Sequence, residues 1–224
     1  MERTIRVTGK GNLSIKPDTI RLVMTMEGME QEYNKAIQCS ADMTEQIKSM
    51  FERLGFVKDE IKTLYFNVNA EFESYQTKDK SWKRRFEGYK FIHRIKVEFP
   101  VDNIRLGKIL YELSHCPIRP EFCIEYTVAD PEKCKNDLLA NAVIDSKQKA
   151  EVLVEAAGVS LGNIVTIDYS WGEIEFISRP IEHMMLEECC ARNSIDESGA
   201  GYNIDINPDD IDVSDNVTVV WTIR

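Results

Sequence analysis

Few of the residues and spacings from which chemistry is usually read occur in this sequence. No run approaches roughly 18 uncharged apolar residues, which excludes a membrane-spanning helix of the usual kind. The opening Met1-Glu2-Arg3-Thr4-Ile5 enters a strand-like segment at once, with no charged start followed by an apolar run, so no secretory signal is read there. Histidine is scarce: His93, His115 and His183 fall in three separate segments, and none is spaced to activate a nucleophile. The six cysteines (Cys39, Cys116, Cys123, Cys134, Cys189 and Cys190) include no CxxC pair. With no export signal visible, they predict reduced thiols in a cytoplasmic protein. Gly9-Lys10-Gly11 lacks the third glycine and the following helix of a dinucleotide-binding turn. The run from Asp205 to Asp210 begins like a calcium loop, but Asp210 stands where the loop needs glycine and Asn216 where it needs glutamate. No catalytic residue and no cofactor are predicted.

What is present suits a folded domain. The 224 residues are 43% hydrophobic and 29% charged, enough apolar material for a sizeable core. One domain over residues 1–224 is expected. The net charge of -10 argues against general binding to polyanions such as nucleic acid or anionic membranes.

Hydrophobic period divides the chain. Thr4–Thr8 and Asn12–Ile15 read as short strands, with Gly9 and Gly11 marking a turn between them. Thr19–Gly28 alternates, placing Ile20, Leu22, Met24 and Met26 on one face. Glu30–Leu54 has the spacing of an amphipathic helix, stopped by Gly55. Ile61–Phe72 and Phe86–Phe99 return to period two. Asp102 caps a helix over Asn103–His115, and Phe122–Val128 is a strand. Asp130-Pro131 starts a third helix that runs to Ala157, where Gly158 ends it. Ile164–Trp171 and Val213–Ile223 are the last strands. The expected fold is α+β: a largely antiparallel sheet with a βαββαβ (split βαβ, ferredoxin-like) middle, a third long helix and a C-terminal strand pair.

Charge is unevenly placed. Residues 178–215 hold ten acidic and two basic side chains, eight of the ten net negative charges. Such a stretch is too long for an ordinary connection, so an acidic excursion over 178–212 is expected, serving an interface. Within it Ile181–Arg192 reads as a short amphipathic helix presenting Met184 and Met185 beside Glu187 and Glu188. Elsewhere Glu73–Arg85 reads as a loop whose tip carries Lys78, Lys80, Lys83, Arg84 and Arg85 around Trp82, against one acid, Asp79. These are the candidate interaction residues. A basic tip with one aromatic suits a phosphate backbone and a stacked base, and equally a solvated hairpin end. His183, Cys189 and Cys190 are the candidate soft-metal ligands, although zinc spacing is absent.

Five segments in order carry a family resemblance. Ile5–Leu22 has Gly9, Gly11, Ser14, Pro17 and Asp18; Leu54–Val68 has a helix end and a strand; Gly88–Phe99 opens on Gly88-Tyr89. Asp137–Ile167 is a long Ala- and Lys-rich helix followed by Gly158 and Leu161-Gly162, and Ile206–Ile223 follows a turn at Pro208-Asp209-Asp210. Together they resemble the SIMPL-domain family, formerly domain of unknown function 541. The resemblance departs at that last turn, which is Pro-Gly-Glu in the family, and in the missing export signal. It implies an α+β fold and, in some members, ring- or channel-like oligomers. It further implies export to the bacterial periplasm or outer membrane for many members. Some are linked to oxidative-stress defence, and an animal member to signalling through a kinase. It implies no catalytic residues.

The function expected is therefore that of a non-enzymatic, homo-oligomeric interaction protein, with a protein partner and no nucleic acid. The alternatives are a metal-dependent protein or enzyme with a site near the acidic excursion, and a nucleic-acid module acting through residues 78–85.

Overall fold

The computed structural model describes residues 3–169, 174–184 and 201–224. They form three helices and two antiparallel sheets, the α+β fold expected. In chain order the strands are β1 (Thr4–Ile15), β2 (Thr19–Glu30), β3 (Lys62–Gln76), β4 (Trp82–Pro100), β5 (Glu121–Thr127), β6 (Leu161–Tyr169), β7 (Ile177–Met184) and β8 (Ile211–Ile223). The helices are α1 (Tyr33–Arg53), α2 (Asn103–His115) and α3 (Pro131–Ala156). The chain divides into two compact units, one of Met1–Asp18, Thr127–Ser178 and Pro208–Arg224, the other of Thr19–Tyr126 and Arg179–Asn207. Among the described residues no helix is long and apolar enough to cross a membrane.

The second unit is built on the sheet β3-β4-β2-β5-β7. The run β2-α1-β3-β4-α2-β5 gives the split βαβ arrangement that the pattern predicts, with β2 between β4 and β5. Alternation in β2 puts Ile20, Leu22, Met24 and Met26 at no more than 1% exposure. They pack with Ile47, Met50 and Phe51 of α1 and Leu106, Ile109 and Leu113 of α2. Each such side chain contributes roughly 1.5–3 kcal/mol on burial. Helix α2 starts where Asp102 Oδ1 accepts from the amides of Ile104 (2.9 Å) and Arg105 (3.0 Å). Helix α1 ends at Gly55, whose φ of +85° few other residues adopt. The sheet's other face carries an ionic ladder. Glu98 accepts from Lys96 (2.9 Å) and Arg21 (2.6 Å); Arg21 reaches Glu125 (3.5 Å), which also accepts from Arg179 (2.9 Å). It runs from β4 through β2 and β5 to the edge strand β7.

The first unit is the sheet β1-β8-β6 with α3 across it. Here one expectation is corrected. Gly9 and Gly11 do not mark a turn: β1 is continuous from Thr4 to Ile15, paired residue for residue with β8. The glycines serve a close approach. Leu138, Ala142, Ser146, Ala150 and Val154 recur every fourth residue as the buried stripe of α3. A Cβ at Gly9 would collide with the carbonyl oxygen of Ala142 and with Ser146, and one at Gly11 with the carbonyl oxygen of Leu138. Asp145 on the same helix accepts from the Lys10 amide at 2.7 Å, tying the strand to α3. Pro17 ends β1, and Asp18 then bridges by donating its amide to the Thr127 carbonyl (3.1 Å) and accepting the Ala129 amide (2.7 Å). Ser14 faces Asp212 in the β1–β8 register. Gly158 ends α3 with φ +69°, and Gly162 opens β6 against Thr222.

Two further expectations change. Residues 73–85 are not a loop: β3 and β4 run on as a hairpin, and only residues 77–81 lie between them. Charged side chains on an exposed hairpin suppress the apolar signal without preventing pairing. Residues 181–184 are strand, not the start of a helix, so the acidic stretch begins inside β7 and its last residues, 211 and 212, belong to β8. Met185, Glu187, Glu188, Cys189 and Cys190 lie outside the described residues.

Replacing Gly9 with alanine is expected to destabilise the first unit by about 1–3 kcal/mol, the range for overpacking a tight contact. Urea unfolding followed by circular dichroism measures it; an unchanged midpoint would show that α3 yields freely.

Candidate interaction surface

A strand advances about 3.3 Å per residue and a helix about 1.5 Å. The 19 residues of β4 therefore reach roughly 63 Å, while the 21 of α1 cover about 32 Å. Helix α1 packs over the C-terminal part of β4, starting where the Tyr33 ring meets Tyr89 edge to face at 5.4 Å. Residues before Tyr89 in β4, with their β3 partners, extend past the helical layer as an arm.

The arm is aromatic. Register pairs Phe72 with Phe86, Ser74 with Arg84, Tyr75 with Lys83 and Gln76 with Trp82. Rings run along it: Phe72–Phe86 at 5.7 Å and Phe86–Tyr89 at 5.2 Å between centroids. The Arg84 guanidinium lies 4.7 Å over the Phe72 ring. A register shift at Glu71/Phe72, opposite Gly88, puts Phe86 and Tyr89 within ring contact. Gly88 leaves room for the Glu30 carbonyl and the Met29 side chain. Trp82 is 70% exposed, and Phe72 and Phe86 are each at least 40% exposed. Arg85 pairs with Glu73 at 2.5 Å. Lys78, Lys80, Lys83 and Arg84 have no carboxylate within ion-pair distance among the described residues. The turn is held by Thr77, whose hydroxyl bonds the Asp79 carboxylate and whose amide donates to the Ser81 carbonyl (2.9 Å). Lys80 takes a left-handed φ of +64° there.

At the other end of the same unit, α1 and α2 leave a groove of about 620 Å³. Its charged lining is Asp42, Glu45, Arg53 and Glu112, with Met50 and Pro117 also bordering it. Glu45 pairs with Lys58 (2.7 Å) and Glu112 with Arg53 (3.8 Å). Asp42 accepts from Gln38 (2.7 Å) and meets no cation among the described residues.

Between arm and groove lies His93, which the sequence leaves as a lone strand histidine. Ser40 and Thr44 hydroxyls stand 3.0 Å from Nδ1, and the Thr63 hydroxyl 3.1 Å from Nε2. Thr44 donates its proton to the Ser40 carbonyl (2.7 Å), so its oxygen accepts from Nδ1–H. Nε2 then accepts from Thr63, and the neutral ring joins α1, β3 and β4. Burial, aided by the charge of Lys48, holds the His93 pKa below the usual histidine value. His115 donates Nδ1–H to the Tyr111 carbonyl at 2.8 Å. His183 lies in β7, and its side chain and its candidate co-ligands Cys189 and Cys190 lie outside what the structure describes. Among the described residues no three metal-binding side chains converge. The thiols of Cys39 and Cys134 are pushed up by burial and by neighbouring carboxylates, which disfavours the nucleophilic thiolate.

The His93 setting has a pH consequence. Above about pH 6.5 both folded and unfolded imidazoles are neutral and the term vanishes. Below it the unfolded chain takes up a proton that the folded site resists, so stability falls until the lowered folded pKa is passed. Denaturant unfolding at pH 7 and pH 5.5 should show this loss, and His93→Asn should shrink it; an equal loss in the variant would place the titration elsewhere.

The sequence has relatives in two Brucella species. The chain is 23% identical over 176 residues to the "26 kDa periplasmic immunogenic protein" of Brucella melitensis biotype 1, covering 79% of this chain and 67% of that protein. It is 22% identical over 176 residues, with the same coverage, to the protein of that name from Brucella abortus strain S19. The arm and the groove both fall within residues 5–221, which match the SIMPL family, described as "Protein of unknown function (DUF541)". With nearly its whole length matched, the chain belongs to the SIMPL family.

Proposed function

We propose that this protein is a non-enzymatic, oligomer-forming scaffold whose assembly uses the β3–β4 arm. The single observation that carries this reading is the arm itself: Trp82 at 70% exposure beyond two half-exposed phenylalanines, with four basic groups free of ion pairs among the described residues. Tryptophan and arginine are the residues most often dominant in protein interfaces. Leaving such a strip in water forgoes burial that a partner surface supplies. The raised thiol pKa values and the hydroxyl-bound His93 support a structural reading of the groups that usually do chemistry. A link to stress defence follows from the family resemblance alone.

A nucleic-acid reading uses the same tip and is opposed by the net charge of -10. The metal reading depends on Cys189 and Cys190, outside the described residues.

The compartment draws on two contrary observations. Among the described cysteines Cys39, Cys116 and Cys134 are free thiols, as in a reducing cytoplasm. Both Brucella relatives are named periplasmic. We place the protein in a reducing compartment; cell fractionation with thiol trapping should find the Cys39, Cys116 and Cys134 thiols alkylatable in the cytosolic fraction. Recovery in the osmotic-shock fraction would place it with those relatives instead.

Light scattering over a wide concentration range tests assembly. A mass above that of one chain is expected, falling when salt is raised to about 1 M, where charge attraction is screened beyond ~3 Å. Arg84→Glu should lower it at ordinary salt. A single-chain mass at every concentration would overturn the assembly reading; a mass unmoved by salt and by Arg84→Glu would remove the arm from it.

A further inference from the structure

Tip and groove stand at opposite poles of one unit. From Tyr89 the arm runs seven residues to Trp82, about 23 Å. From Tyr33, which packs on Tyr89, α1 runs the other way along the sheet and reaches Ser49 in the groove after sixteen residues, about 24 Å. On the order of 45 Å of paired strand and continuous helix thus separates them. The tip of one copy cannot fold back into its own groove.

The two surfaces are complementary in charge and in shape. The tip presents Lys78, Lys80, Lys83 and Arg84 without carboxylate partners among the described residues. In the groove Glu45 is paired with Lys58 and Glu112 with Arg53, and Asp42 is left without a cation among the described residues. The tip also presents a bare indole. The groove, about 620 Å³, is roomy enough for a ring and offers the Pro117 ring against it, over a floor that includes the buried Met50. Met50 is only 3% exposed, so the groove wall is firm.

We propose that the arm tip of one copy docks in the α1–α2 groove of a second copy, with Trp82 in the groove and Arg84 or its neighbouring lysines at Asp42. This rests on the assembly reading above and names its contact. Donor and acceptor are different patches, so the contact either repeats head to tail or is made twice in a two-fold dimer, each tip in the other's groove. In a head-to-tail chain only the two end copies keep a free tip or a free groove until the contacts close. Such contacts give closed rings when the rotation per copy divides a full turn, and filaments otherwise. The acidic segment 178–215 of a second copy is the rival occupant for the tip, and the test separates the two.

A photoreactive benzoylphenylalanine at position 82 of the full chain, in a mixture of ¹⁴N- and ¹⁵N-labelled protein, reports what the tip touches. Mixed-isotope crosslinks to residues 42–53 or 112–117 are expected. Crosslinks to 178–215, or to any other region, overturn the docking site; so does an absence of crosslinks while light scattering still shows oligomers. In those cases the assembly reading stands. A single-chain mass by light scattering fails both. Charge exchange gives a second readout. Arg84→Glu and Asp42→Arg should each weaken association about tenfold, and the double variant should recover most of that loss. Additive weakening in the double variant would show that the two charges do not meet. Both positions are exposed, so the variants are expected to fold.

Discussion

A β-strand covers ground more than twice as fast as an α-helix of equal length, and this mismatch governs the second unit. Helix α1 has more residues than β4, yet it shelters only about half of it. Where the helices lie over the sheet, alternation buries one side of β2 and of the C-terminal part of β4 to near zero exposure. Beyond the helix the register shift at Glu71/Phe72 changes the parity of the alternation, and its apolar side meets water. The rings of Phe72, Phe86 and Trp82 therefore lie beyond the point at which the core stops. Exposure there results from geometry.

In the first unit the limiting distance is between a helix and a strand. The fourth-residue stripe of α3 uses alanine and serine at its centre, and β1 answers with two glycines. Removing side chains from both partners lets the two backbones approach closely, at the cost of apolar area. The Lys10 amide bound by Asp145 compensates, because it anchors a strand at the sheet's edge.

Helices were more legible in the sequence than strands. The bounds of α2 follow from Asp102 and the Cys116-Pro117 break, and those of α3 from Asp130-Pro131 and Gly158. Each is a local stop or start with a local cause. Gly9 and Gly11 were not readable in this way. A glycine that opens a turn and a glycine that admits a helix leave the same letter, and only the partner at residues 138–146 distinguishes them. The arm reads as a loop in the sequence because charge interrupts its alternation, and Pro180 and scattered charge hide the period of β7. Of the candidate surface, the basic residues and Trp82 were visible as a cluster. The groove was not, since its lining comes from two helices some 60 residues apart. The hydroxyl cage of His93 draws on residues 40, 44 and 63, a set no spacing rule connects.

One feature of the first unit bears on how the protein is made. Its central strand is β8, residues 211–223, flanked by β1 from the far end of the sequence and by β6. On the ribosome, β1 and α3 are in hand long before the strand that joins them to β6 emerges. The second unit's strands and helices from Thr19 to Tyr126 are by then complete and consist of local neighbours. Synthesis order thus separates the two units in time: one can settle during translation, while the other waits with an apolar strand edge open until its last partner arrives.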